Sequence, residues 1–152
     1  MSRRQQGGVL LLFPVAVLIV MLLAAMTVDA AIVFLGQREV SDSVAAAAND
    51  AATLGVGNAA FYRAGSVQLD PGTVRALALD RVRTALDAAR FQDLTVDAVV
   101  VPGAGSCPPS VRVSASATVA YLFTKVVPGA PGRATVTATA TAAAAQADTS
   151  GC

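Results

Sequence analysis

VLLLFPVAVLIVMLLAAMTVDAAIVFLGQREVSDSVAAAANDAATLG, residues 9–55, is the stretch on which the fold turns. Its first part, Val9 to Val28, carries no charge and one hydroxyl, that of Thr27. At about 1.5 Å of rise per residue, a helix of that length matches a hydrocarbon core of roughly 30 Å. The run therefore predicts a membrane-spanning helix over 9–28, because a core helix of a water-soluble domain seldom goes so far without a charge. Past Asp29 the polar residues return with a rhythm. Val40, Val44, Ala47, Ala51 and Leu54 follow one another at steps of four, three, four and three, while Gln37, Arg38, Ser41, Asp42, Asn49 and Asp50 lie mostly off that stripe. The rhythm predicts that the helix leaves the membrane and continues as an amphipathic extension over 29–55, with the stripe as its packing face. Gly55-Val56-Gly57 supplies the stop, since glycine readily takes the left-handed conformation that ends helices. A stripe so rich in alanine suits close packing, either on the chain's own outer domain or on other subunits of an assembly.

The flanks of the span set its orientation. Arg3 and Arg4 precede it with no acid nearby and Asp29 closes it, so these three residues mark the membrane boundaries. The excess of positive charge before the span predicts a cytoplasmic N-terminus, residues 1–8, with the C-terminal domain outside the cell membrane. Pro14 removes one backbone hydrogen bond and predicts a kink or a position near the helix start. Asp29 reads either as an ordinary interfacial acid or as a contact for a partner. A rival reading takes Arg3, Arg4, the apolar run and the small residues Ala24, Ala25, Ala30 and Ala31 as a cleaved secretory signal. Against it, the apolar core of such signals is about 7–15 residues long, shorter than this run.

Composition narrows the function classes. The chain has 152 residues, 55% of them hydrophobic, with 11 basic against 10 acidic side chains. A mean hydropathy of +0.61 is too high for an ordinary soluble domain, and so balanced a charge provides no electrostatic drive toward nucleic acid. There is no His and no Trp, and Cys107 and Cys152 are the only cysteines. The usual metal ligands and the usual general base are thus missing, and no phosphate loop, Gly-x-Ser-x-Gly elbow or Ser-x-x-Lys pair occurs. The expectation is a non-enzyme with no catalytic, cofactor-binding or metal residues and no small-molecule substrate, whose partners are membrane lipid and other proteins.

Outside the membrane, residues 56–143 predict a small α+β domain, followed by a tail over 144–152. Asp70-Pro71 places a capping carboxylate and a proline at a helix start, and Val74, Ala78, Val82, Ala85, Leu86 and Ala89 give that helix an apolar face over 71–91. Arg75, Arg81, Arg83 and Arg90 read as solvated charges with Asp80, Asp87 and Asp93 as local partners; an anionic ligand is the sharper alternative. Strands are expected at 94–101, 111–123 and 133–142, the last two alternating strictly. Val111, Val113, Ala115, Ala117, Val119, Tyr121 and Phe123 are expected on one face, as are Ala134, Val136, Ala138, Ala140 and Ala142. Four threonines at 135, 137, 139 and 141 point the other way, an ordinary solvated strand face. The fold class is α+β: a long N-terminal transmembrane and amphipathic helix, then one helix packed on a three-stranded antiparallel meander. With 33 alanines and 5% aromatics, the core should be thin. In an oxidising exterior Cys107 and Cys152 are candidates for a disulfide closing a loop of about 45 residues, worth about 3–4 kcal/mol on the chain-entropy argument. Free thiols or a bridge between chains are the alternatives.

A basic N-terminus, an apolar helix containing Pro14, Val28-Asp29 at its end, Arg38, and then Ala47-Ala48-Asn49-Asp50-Ala51-Ala52-Thr53-Leu54-Gly55 form an order of motifs that resembles the TadE/TadG-like family. These are small single-pass, pilin-like proteins of tight-adherence (Flp) pilus assembly, and the resemblance covers roughly residues 7–57. It implies a pilin-like fold and a role as a minor pilin-like or pilus-assembly protein whose partners are other pilus-assembly or pilin-like proteins. One position departs from the processed members, which carry a glutamate five residues past the cleavage point. Counted from Gly8 that position is Phe13, and from Gly7 it is Leu12. The resemblance therefore implies an uncleaved membrane anchor. A secreted or anchored extracellular binding module is the alternative function.

Overall fold

A computed structural model describes residues 6–57, 68–104, 107–124 and 128–144. Helix α1 runs unbroken from Gln6 to Leu54, 49 residues with Pro14 inside it, and spans about 74 Å at the standard rise. Helix α2 covers Pro71–Ala85, and strands β1 (Phe91–Val101), β2 (Ser110–Ala120) and β3 (Arg133–Ala143) form one antiparallel sheet in the order β1-β2-β3. This is the α+β meander expected from the sequence.

The helix starts and stops follow local chemistry. Asp70 takes an extended backbone, and its carboxylate accepts from the backbone N–H of Thr73 at 2.8 Å while Pro71 occupies the first turn. Leu54 is the last helical residue of α1, and the expected left-handed glycine does not end it: among the described glycines only Gly129 has a positive φ, and Gly55 is instead needed for its close approach to Ala51 and Val74. Gly55, Val56 and Gly57 then turn back against Gln68, Leu69 and Asp70, with a bridge between Val56 and Leu69 and hydrogen bonds of 2.9 and 3.0 Å on either side of it. Helix α2 stops at Ala85, short of the expected residue 91. Asp87 accepts from the backbone N–H groups of Arg90 and Phe91 instead, which closes a turn and aims the chain into β1. For the same reason β1 begins at Phe91, three residues before the expected start.

In register, Phe91 faces Val119, Val96 faces Ala115 and Val100 faces Val111 across the first pair; Val113 faces Ala140 and Ala117 faces Val136 across the second. Between Gln92 and Thr95 the ladder slips, and Asp93 there adopts φ of 52°. Such a bulge puts two residues opposite one and sharpens the local twist. Strand β2 ends at Ala120 rather than at 123. Tyr121 donates its N–H to Gly132 at 3.0 Å, and Leu122 onward leaves the sheet, so Phe123 does not join the buried face.

Helices α1 and α2 cover one face of the sheet. The largest fully buried side chains are all valines: Val40, Val44, Val74, Val82, Val111, Val113, Val119 and Val136. Each stabilises by about 1.5–3 kcal/mol through burial, and alanines fill the space between. On the stripe, Val40, Val44, Ala47 and Ala51 are buried as expected, but Leu54 is 64% exposed. The heptad spacing misplaces it because the covered side of α1 turns as α2 joins the sheet. Toward the C-terminal end, Ala48, Ala52 and Gly55 become the covered positions, and Leu54 falls beyond them.

Candidate functional site

The position where α1 passes from bare to covered is Asp29. It stands eleven residues before Val40, close to three whole turns, so both share one side of the helix. That side faces the domain, and Asp29 is only 3% exposed. Its Oδ1 accepts from the backbone N–H groups of Leu122 (2.8 Å) and Phe123 (3.0 Å), and its Oδ2 accepts from the N–H of Thr124 (2.7 Å) and from the Thr124 hydroxyl. Three successive amides aimed at one carboxylate resemble a helix N-terminus held by its cap, with the cap supplied here from another element. Burial pushes the Asp29 carboxyl up, but the Thr124 hydroxyl and the three amides outweigh it and bring it down to about 2. Asp29 is thus engaged within the chain: it ties the β2–β3 connection to the end of the apolar segment. The signal was present in the eleven-residue spacing to Val40, which a reading of the membrane boundary alone passes over.

Gln37 makes a second clasp that the sequence did not announce. Its side-chain amide donates to the Thr137 carbonyl at 2.6 Å and accepts from the Thr137 N–H at 3.3 Å. Strand β3 is an edge of the sheet, and this pair occupies backbone groups that would otherwise offer themselves to another strand. Gly36 beside it permits the approach. A Cβ there would lie 3.1 Å from a methyl of Val119.

From Leu12 to Val28 the helix is almost wholly uncovered. Leu12, Phe13, Leu18, Val20, Met21 and Met26 are each between 63% and 73% exposed. Among the described residues one helix is long and apolar enough to cross a membrane, it lies near the N-terminus, and only 6% of its most apolar window is buried within the fold. A core helix of a soluble domain would be mostly covered, so this segment is suited to a lipid or protein environment. Arg3 and Arg4 lie outside the described residues.

The arginines are paired differently from the expectation. Arg81 meets Asp50 of α1 at 2.7 Å, and Arg90 meets Glu39 of α1 at 2.6 Å while its guanidinium stands 5.4 Å from the Phe91 ring centre. Asp93 meets Arg133 at 3.9 Å. Local spacing pointed to Asp80, Asp87 and Asp93, but the antiparallel docking of α2 on α1 brings the acids of α1 within closer reach. The other face of the sheet carries a shallow groove lined by Thr95, Asp97, Ser114, Ser116, Thr137 and Thr139.

Among the described residues no cysteine is free, Cys107 included; Cys152, its expected partner, lies outside them. Among the same residues no group of three or more His, Cys, Asp or Glu side chains could hold a metal ion. Compared with known proteins, the chain matches no family model, no curated protein and no solved structure.

Proposed function

We propose that this chain is a membrane-anchored minor pilin-like assembly protein of a tight-adherence type pilus or secretion system. It acts by packing against other proteins and carries out no reaction. One observation carries the reading: α1 is a single uninterrupted helix that is bare and apolar from Leu12 to Val28 and whose C-terminal half is the spine of the outer domain. Such a helix lets the membrane hold the subunit until partners replace the lipid around its apolar half. The N-terminus is cytoplasmic and the α+β domain extracytoplasmic, in keeping with Arg3 and Arg4 ahead of the span.

The Val40–Ala51 stripe is spent inside the chain, so partner contact must use other positions of the helix. Phe34 and Leu35 are 67% and 54% exposed and lie about 8–9 Å past Asp29 along the axis. A Phe34→Asp, Leu35→Asp double variant leaves the span and the buried core intact. If the assembly reading holds, the variant remains folded in the membrane fraction but no longer co-purifies with pilus-system proteins. Unchanged co-purification of the variant rejects Phe34 and Leu35 as the contact, and no co-purification even with the unaltered chain rejects the assembly reading in favour of an extracellular binding module.

A further inference from the structure

We propose that the loop following β2 is a lipid-contacting foot: Leu122 and Phe123, pinned beside the exit of α1 by Asp29, rest in the interfacial layer of the bilayer and fix how the outer domain stands on the membrane. This rests on the anchored reading of α1 and adds a second point of membrane contact to it.

The observations converge on that loop. Leu122 and Phe123 are 52% and 44% exposed, although β2 hides every second side chain up to Val119. Their backbone N–H groups are both used by Asp29, so the loop turns its polar groups inward and its two large apolar side chains outward. A loop free to follow solvent preference would do the reverse. Its height is set by the same bonds: Asp29 is one residue past Val28, about 1.5 Å of rise beyond the last residue of the apolar span. Amides 2.8 and 3.0 Å from that carboxylate cannot stand far above the lipid surface. Val28 and Met26, 41% and 63% exposed on the helix, continue the same apolar surface downward. Side chains of this kind are stabilised about 5–10 Å into the headgroup and acyl boundary. A helix in lipid can tilt and rotate about its own axis, and a second contact made from another element of the fold restricts that freedom.

The chain contains no Trp, so a single introduced indole reports its own surroundings. Four full-length single variants are reconstituted at low protein-to-lipid ratio into phosphatidylcholine vesicles with or without bromine on the acyl chains: Phe123→Trp, Leu122→Trp, Leu18→Trp within the span, and Val99→Trp. Val99 is 52% exposed and lies near the end of the sheet away from Asp29, where its register partner is Arg112. The proposal expects Trp emission at 122 and 123 to shift to the blue and to be lost in brominated vesicles, as at 18, with emission at 99 unaffected. Quenching at 18 but none at 122 or 123 overturns the foot and leaves the anchor standing. No quenching at 18 removes the anchor, and the foot falls with it. A blue shift at 123 without quenching by bromine means that protein covers the loop, which also overturns the proposal.

Discussion

Three glycines of this chain have different surroundings, and they test the packing of α1 quantitatively. A Cβ built on Gly55 would lie 2.4 Å from the carbonyl oxygen of Ala51 and 2.5 Å from a methyl of Val74; on Gly36 the nearest atom is the Val119 methyl at 3.1 Å; on Gly57 it is the carbonyl of Gln68 at 3.6 Å. At Gly55 the first obstacle is backbone and the second is a fully buried valine of α2, so neither yields cheaply. Overpacking of this kind costs about 1–3 kcal/mol, and two such contacts place Gly55→Ala near the upper end, about 3 kcal/mol. Gly36 lies within the helix, where alanine gains about 1 kcal/mol of propensity, and the mild squeeze against Val119 offsets that gain, leaving Gly36→Ala at about zero. Gly57→Ala meets an ordinary contact and should stay within about 0.5 kcal/mol. Thermal unfolding of the full chain in detergent, followed by circular dichroism of the sheet, reads the series. At about 4–8 °C per kcal/mol for a domain of this size, Gly55→Ala should lower Tm by roughly 10–20 °C while the other two barely move it. If Gly55→Ala melts within a few degrees of the unaltered chain, the close seating of α2 on the end of α1 is wrong.

Other consequences follow from the same contacts. Asp29 has its carboxyl lowered from 3.8 to about 2, so it binds a proton less readily folded than unfolded. Its stabilising contribution is full above about pH 4 and is lost as pH falls toward 2, and Asp29→Asn should be less stable at neutral pH and lose that part of the acid dependence. An acid-unfolding curve unchanged by Asp29→Asn would contradict the clasp. Val44→Ala should cost about 2 kcal/mol, whereas Leu54→Ala should stay within about 0.5 kcal/mol in urea titrations, because Val44 is fully buried and Leu54 is not. Equal costs would restore the heptad reading. The Arg81–Asp50 and Arg90–Glu39 pairs are all more than a third exposed at their side chains, so double-mutant cycles should give couplings under about 1 kcal/mol that fade in 1 M salt.

Much of the molecule was legible from residue order alone. An uncharged run from Val9 to Val28 can be stable only as a helix in apolar surroundings, because every backbone polar group must then be satisfied within the segment. Asp70-Pro71 marked a helix start through its own backbone chemistry, Gly55 marked the place of a helix stop though not its conformation, and the strict alternation of Val111–Val119 and Arg133–Ala142 marked two half-buried strands. These are short-range properties, decided by a residue and its immediate neighbours. Tertiary structure decided the rest. Which side of α1 is covered near Leu54 depends on where α2 crosses it, and the partners of Arg81 and Arg90 depend on which acids that docking brings close. Strand β2 ends at Ala120 although alternation continues to Phe123, because Asp29, more than ninety positions earlier in the chain, captures three amides of the loop. A carboxylate's choice of hydrogen-bond donors is settled by proximity in space, and one-dimensional spacing reports proximity only within a single helix or strand.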